Sequence, residues 1–143
     1  MAALFSNQFV WIPVLAWAIA QILKVATDSW KRHRFSLRSL GLSGGMPSSH
    51  TAMTVCLTTI LGRKLGTGSP IFAAAAILTL VVIYDATGVR RAAGQQGLIL
   101  NQMIEDLRNN LGLRYERLRE FFGHTPYEVL AGVVLGFLIG MTL

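Results

Sequence analysis

The sequence predicts an all-α fold, a multi-pass transmembrane bundle of about four spanning helices with amphipathic helices at the membrane interface. Three observations point there. Hydrophobic residues make up 52% of the chain and charged residues 14%, against about 25% charged in a typical soluble domain. The apolar residues gather into four segments. The basic residues lie unevenly between them. A chain of 143 residues suits one domain, so 1–143 is expected to be a single membrane-embedded unit. A net charge of +6 would suggest nucleic acid in a soluble protein. In an apolar chain it marks loops facing anionic lipid, and no nucleic-acid partner is expected.

The first segment runs from about Phe9 to Ala26. No basic stretch and small-residue cleavage site frame it, so it is expected to stay in the mature protein. The second, about Ser49 to Gly62, and the third, about Pro70 to Tyr84, are short for a span of roughly 17–25 residues. They suit a thinned bilayer or helix ends buried in protein. The region from Gly94 to Phe122 carries Leu98, Met103, Leu107, Leu111, Leu113, Leu118 and Phe122 at near-helical spacing, with a break at Asn109–Gly112. That pattern predicts two amphipathic helices at the interface or over the cytoplasmic mouth. The fourth segment, about Pro126 to Leu143, holds Gly132, Gly136 and Gly140. Such a ladder lets helices approach closely in lipid and offers a face for a homodimer.

Charge sets the expected orientation. Lys31, Arg32, Arg34 and Arg38 follow the first segment, and Arg90, Arg91, Arg108, Arg114, Arg117 and Arg119 follow the third. Only Arg63 and Lys64 follow the second. Ten basic residues against two place the first two regions in the cytoplasm and both termini outside. The expected location is therefore a cell membrane, bacterial inner or equivalent, with the polar clusters at its cytoplasmic face.

Three clusters and one lysine carry chemistry. In Ser43-Gly-Gly45-Met-Pro47-Ser48-Ser49-His50, glycines let backbone N–H groups approach an anion and serines add donors. Pro47 is expected to open a helix whose N-terminus seats phosphate. In Tyr84-Asp85-Ala-Thr-Gly-Val-Arg90-Arg91, the arginines are either snorkelling anchors or a guanidinium fork for phosphate, and Asp85 could orient one of them. In Gly123-His124-Thr-Pro-Tyr-Glu128, residues four apart share a helix face. A carboxylate on one imidazole nitrogen leaves the other basic, as a nucleophile requires. Lys24, between Gln21 and Asp28, either snorkels or binds phosphate inside the bundle. Each cluster also has a plain reading, as a turn, an interfacial anchor or a helix cap. Together they form a phosphoryl-transfer constellation that calls for no metal and no cofactor. Cys56, alone in an apolar run, is expected to serve packing.

At these residues the chain resembles the type 2 phosphatidic acid phosphatase superfamily, which also includes vanadium haloperoxidases, and more closely its divergent, compact branch. Pro47-Ser48-Ser49-His50 is similar to the P-S-G-H motif, with Ser49 in the glycine place. Gly123-His124 through Glu128 to Gly132 is similar to the end of the third motif, with Glu128 for aspartate. The motif arginine would be Arg90 or Arg91, set apart from His124 by a long insertion. For the first motif, Lys31 and Arg38 have the family spacing with Ser39 in the proline place, and Lys24 is preferred because a helical position aims into the bundle.

The resemblance implies that His124 attacks phosphorus and His50 protonates the leaving alkoxide. Lys24, Arg90, Arg91, Arg38, Ser48, Ser49 and the amides around Gly45 would bind phosphate, with Asp85 beside them. It implies a membrane lipid phosphate or pyrophosphate phosphatase working through phosphohistidine, on substrates such as phosphatidylglycerol phosphate, phosphatidic acid or undecaprenyl pyrophosphate. The alternative is a non-catalytic lipid-binding or assembly protein that keeps the phosphate-binding shell.

Overall fold

The computed structural model describes residues 6–32, 45–111 and 123–143. Every regular element there is an α-helix: α1 (Gln8–Arg32), α2 (Ser49–Leu65), α3 (Pro70–Thr87), α4 (Val89–Leu111) and α5 (Pro126–Thr142). The stretches Gln8–Trp30 and Pro70–Leu107 are long and apolar enough to cross a membrane, and α5 is a shorter apolar helix. The chain is an all-α membrane bundle, as its apolar segmentation predicts.

Helix α2 is the centre of this bundle, packed against α1, α3 and α5. At 17 residues it is about 25 Å long. It also carries an unusual number of hydroxyls for a membrane helix. Thr54, Thr58 and Thr59 return theirs to the carbonyls of His50, Thr54 and Val55, and Thr58 reaches Thr79 of α3 at 2.9 Å. Polar side chains are tolerated there because protein rather than lipid surrounds them and the threonine hydroxyls find partners. The short second segment is thus explained by burial within protein.

The outer helices pack on α2 through small side chains. Along α1, Ile12, Ala16, Ala20 and Lys24 form a buried row with a spacing of four, one stripe of a helix. Helix α3 presents Ala75 and Thr79 inward and leaves Ile77, Leu78, Leu80 and Val81 exposed. Its start is set by local chemistry, with Ser69 accepting from Phe72 N–H at 3.1 Å and Pro70 in the first turn.

The glycine ladder of α5 lies against α2. A Cβ at Gly132 would strike the Ser48 carbonyl, one at Gly136 the Ala52 carbonyl and one at Gly140 the Cys56 carbonyl and Thr59. Because both sets of numbers ascend together, α2 and α5 run parallel. At the far end, Arg63 Nη1 donates to the Gly140 carbonyl at 2.6 Å. The homodimer face expected from the ladder is therefore already covered within the chain. The same absence of side chains serves either contact, and the internal one uses it here. Gly136→Leu forces a side chain into the α2 backbone, and overpacking of this kind costs about 1–3 kcal/mol. It is expected to lower thermal unfolding in detergent clearly, whereas Phe137→Leu on the exposed side leaves it nearly unchanged.

Two other expectations are corrected. Pro47 does not open a helix: α2 begins at Ser49 with Ser48 as its N-cap residue, so the proline precedes the cap. The first amphipathic helix starts at Val89, directly after Gly88, rather than near Gly94, and is described as far as Leu111, within the expected break. Its exposed apolar stripe includes Ile99, Leu100, Met103 and Leu107. The second amphipathic helix, expected within 112–122, falls outside the described residues, as does Arg38.

Candidate active site

The C-terminal ends of α1 and α3 and the N-terminal ends of α2 and α5 meet at one end of the bundle. Three hydrogen bonds to backbone carbonyls fix them together. Ser48 N–H donates to the Glu128 carbonyl at 2.9 Å, and His124 N–H to the Ala86 carbonyl at 3.1 Å. Thr27 Oγ1 of α1 donates to the Met46 carbonyl at 2.8 Å. Each satisfies a polar group that a helix end or loop would otherwise leave without a partner. Gly123 packs so closely on the Arg91 backbone that no side chain fits there. The glycine of the Gly-His-Thr-Pro string is thus what lets His124 come down against the end of α3.

His124 is buried, with 5% of its surface exposed. Its Nδ1 lies 3.3 Å from Glu128 Oε2. Thr125 caps α5 in a full capping box: Glu128 N–H donates to Thr125 Oγ1, and Glu128 Oε2 accepts from Thr125 N–H at 2.8 Å. One carboxylate therefore closes the helix start and holds the imidazole. A carboxylate accepts, so the proton belongs on Nδ1 and the lone pair on Nε2. Burial pushes the His124 pKa below the ordinary histidine value of 6.5, and the Glu128 hydrogen bond and charge oppose that shift. The face-sharing expected from the spacing of four is present.

His50 lies in the first turn of α2 and is exposed. The two rings line one cavity of about 370 Å³ together with Ser48, Asp85, Arg90, Met53, Thr54, Val81, Val82 and Ala86. Arg90 Nη2 donates to Asp85 Oδ2 at 2.7 Å, so the acid orients the arginine. The sequence left Arg90 and Arg91 as equals. The break at Gly88 sets the helix phase and brings Arg90 to the cavity, while Arg91 contributes backbone under Gly123. Ser48 Oγ, fully buried, lies 3.0 Å from Thr51 Oγ1.

Lys24 does not line this cavity, but its charge acts on both His50 and His124. The side chain is 5% exposed and continues the buried row of α1. Gly45, at φ +100°, lies along its stem: a Cβ there would stand 2.8 Å from Lys24 Cε. Gly45 thus serves both a left-handed backbone and the passage of the lysine. Ser49 is buried in the first turn of α2 and is not among the cavity residues. Lys31 lies in the last turn of α1, seven residues beyond Lys24.

Two larger hollows hold less chemistry. One of about 600 Å³ lies between α1 and α5 and is lined almost wholly by apolar side chains. Another of about 450 Å³ lies at the far end, near Arg63 and Phe72. Among the described residues no three His, Cys, Asp or Glu side chains form a metal-binding group. The paired histidines make the smaller cavity the candidate site.

Residues 5–139 match the Divergent PAP2 family. The chain belongs to that family. Its resemblance to the phosphatidic acid phosphatase superfamily, legible in Pro47–His50 and Gly123–Glu128, is thereby established at the level of the divergent branch. A relative occurs in Bacillus subtilis (strain 168), the uncharacterized membrane protein YuiD. It is 32% identical over 135 residues, covering 87% of this chain and 85% of that protein. No solved structure matches this Divergent PAP2 protein. The cavity wall of Met53, Thr54, Val81 and Val82 carries no motif signal in the sequence. Helical spacing from His50 and Asp85 was the clue that could have found it.

Proposed function

We propose that this protein is a membrane lipid phosphate phosphatase, multi-pass, with its active site at the cytoplasmic face. The single observation that carries the proposal is the pairing of a buried, carboxylate-held His124 with His50 across one cavity that also holds Arg90. The His124 Nε2 lone pair forms a bond to phosphorus as the bond to the lipid oxygen breaks. His50 gives that oxygen a proton. Water then attacks the phosphorus of phosphohistidine, His50 takes the water proton, and inorganic phosphate leaves as the nitrogen–phosphorus bond breaks. Arg90 and Lys24 offset the phosphoryl charge. Phosphatidylglycerol phosphate, phosphatidic acid and undecaprenyl pyrophosphate are the substrate candidates. Purified protein in EDTA should release inorganic phosphate from at least one of them. Binding without release would favour the lipid-binding or assembly reading instead.

Orientation rests on the basic loops. Single cysteines at Glu105 and Gly68, introduced into Cys56→Ala protein, should differ in intact cells. An impermeant reagent outside should label position 68 and not 105. The reverse pattern would move the site to the outer face.

Glu128→Gln should separate positioning from binding. Glutamine can still close the capping box, but the charge beside His124 is lost. A hydrogen bond to a charged group is worth about 1.5–3 kcal/mol, so turnover should fall by roughly 10- to 100-fold with KM little changed. The carboxylate raises the His124 pKa, so its loss lowers that pKa further. The acid limb of the rate profile, below which the nucleophile is protonated, should move to lower pH in the variant.

A further inference from the structure

The cavity is polar at one end and apolar at the other, and helical spacing explains why. On α2, Met53 and Thr54 lie three and four residues beyond His50, one turn further into the bundle on the same face. On α3, Val81 and Val82 lie four and three residues before Asp85, likewise one turn further in. All of them line the same space. Its inner wall is closed: Ser48 is fully buried and His124 is 5% exposed. Its outer lip is open: Met53 is 37% and Val81 57% exposed.

In-line displacement decides what this opening is for. Attack from His124 puts the leaving oxygen on the opposite side of phosphorus, beside His50 and on the open side of the cavity. We propose, resting on the phosphatase reading, that the hydrocarbon portion of the substrate enters and leaves through the α2–α3 seam, between Met53 and Val81. The phosphate then lies at the helix ends while its chains stay in the bilayer. On this proposal the larger hollow between α1 and α5, lined by Leu23, Leu130 and Val134 among others, takes only bulk lipid.

A phosphatidic acid carrying a photoreactive diazirine on its acyl chain near the glycerol, placed in phosphatidylcholine vesicles with the full-length protein, tests this. After illumination the labelled peptides are mapped by mass spectrometry, with and without excess ordinary phosphatidic acid. Labelling at Met53 and Val81 should fall severalfold under competition, while labelling at Leu130 and Val134 stays constant. Competed labelling at Leu130 and Val134 instead, or no competed labelling in protein that turns phosphatidic acid over, would overturn the seam. Competed labelling at Met53 and Val81 without phosphate release would leave the seam standing and refute the phosphatase reading.

Discussion

His124→Ala should leave no turnover above background and no trapped phosphoenzyme, the largest effect expected of any substitution. Nothing else in the cavity offers a buried nitrogen whose partner nitrogen is held by a carboxylate. The fold should survive the change. The backbone N–H of residue 124 still reaches the Ala86 carbonyl, and Thr125 still caps α5. Unfolding temperature and phosphate-lipid binding then serve as controls, so loss of activity with both retained locates the defect in the chemistry.

The next largest effect is expected from His50→Ala and depends on the substrate. A lipid alkoxide leaves poorly without a proton, and general acid catalysis contributes about 10²- to 10⁴-fold. Turnover of a natural lipid should fall within that range. With p-nitrophenyl phosphate, whose leaving group departs as a stable anion, the loss should be far smaller. A bound phosphate dianion beside His50 favours the imidazolium that this role needs. Equal losses on both substrates would assign His50 to binding rather than to proton transfer. Retained activity in His124→Ala with none in His50→Ala would reverse the two roles.

Much of the fold was legible because its signals are local. Ser69-Pro70 and Thr125-Pro126 are helix starts that depend only on neighbouring residues, and the expected boundaries at Ser49, Pro70 and Pro126 coincide with α2, α3 and α5. Pro47 misled because the same residue is favoured at the first helical position and in the turn before a cap. Long-range choices were harder. A glycine every fourth residue cannot say whether the facing helix belongs to the same chain, and Gly132, Gly136 and Gly140 face α2. Neighbouring arginines point about 100° apart on a helix, so choosing Arg90 required the phase set at Gly88. The His124–Glu128 pair was legible from spacing alone. The role of Gly123 was not, because it answers to the Arg91 backbone, a contact thirty-two residues away in the chain.

The proposed mechanism requires a nitrogen–phosphorus bond at one residue. Rapid alkaline quench of the purified protein during turnover of a phosphate-labelled lipid, followed by peptide mapping under conditions that keep phosphoramidates, measures that bond directly. An alkali-stable, acid-labile phosphate on His124, absent from His124→Ala, is the expected result. Phosphate on His50 instead, or steady turnover with inversion at phosphorus and no phosphohistidine at His124, would contradict it.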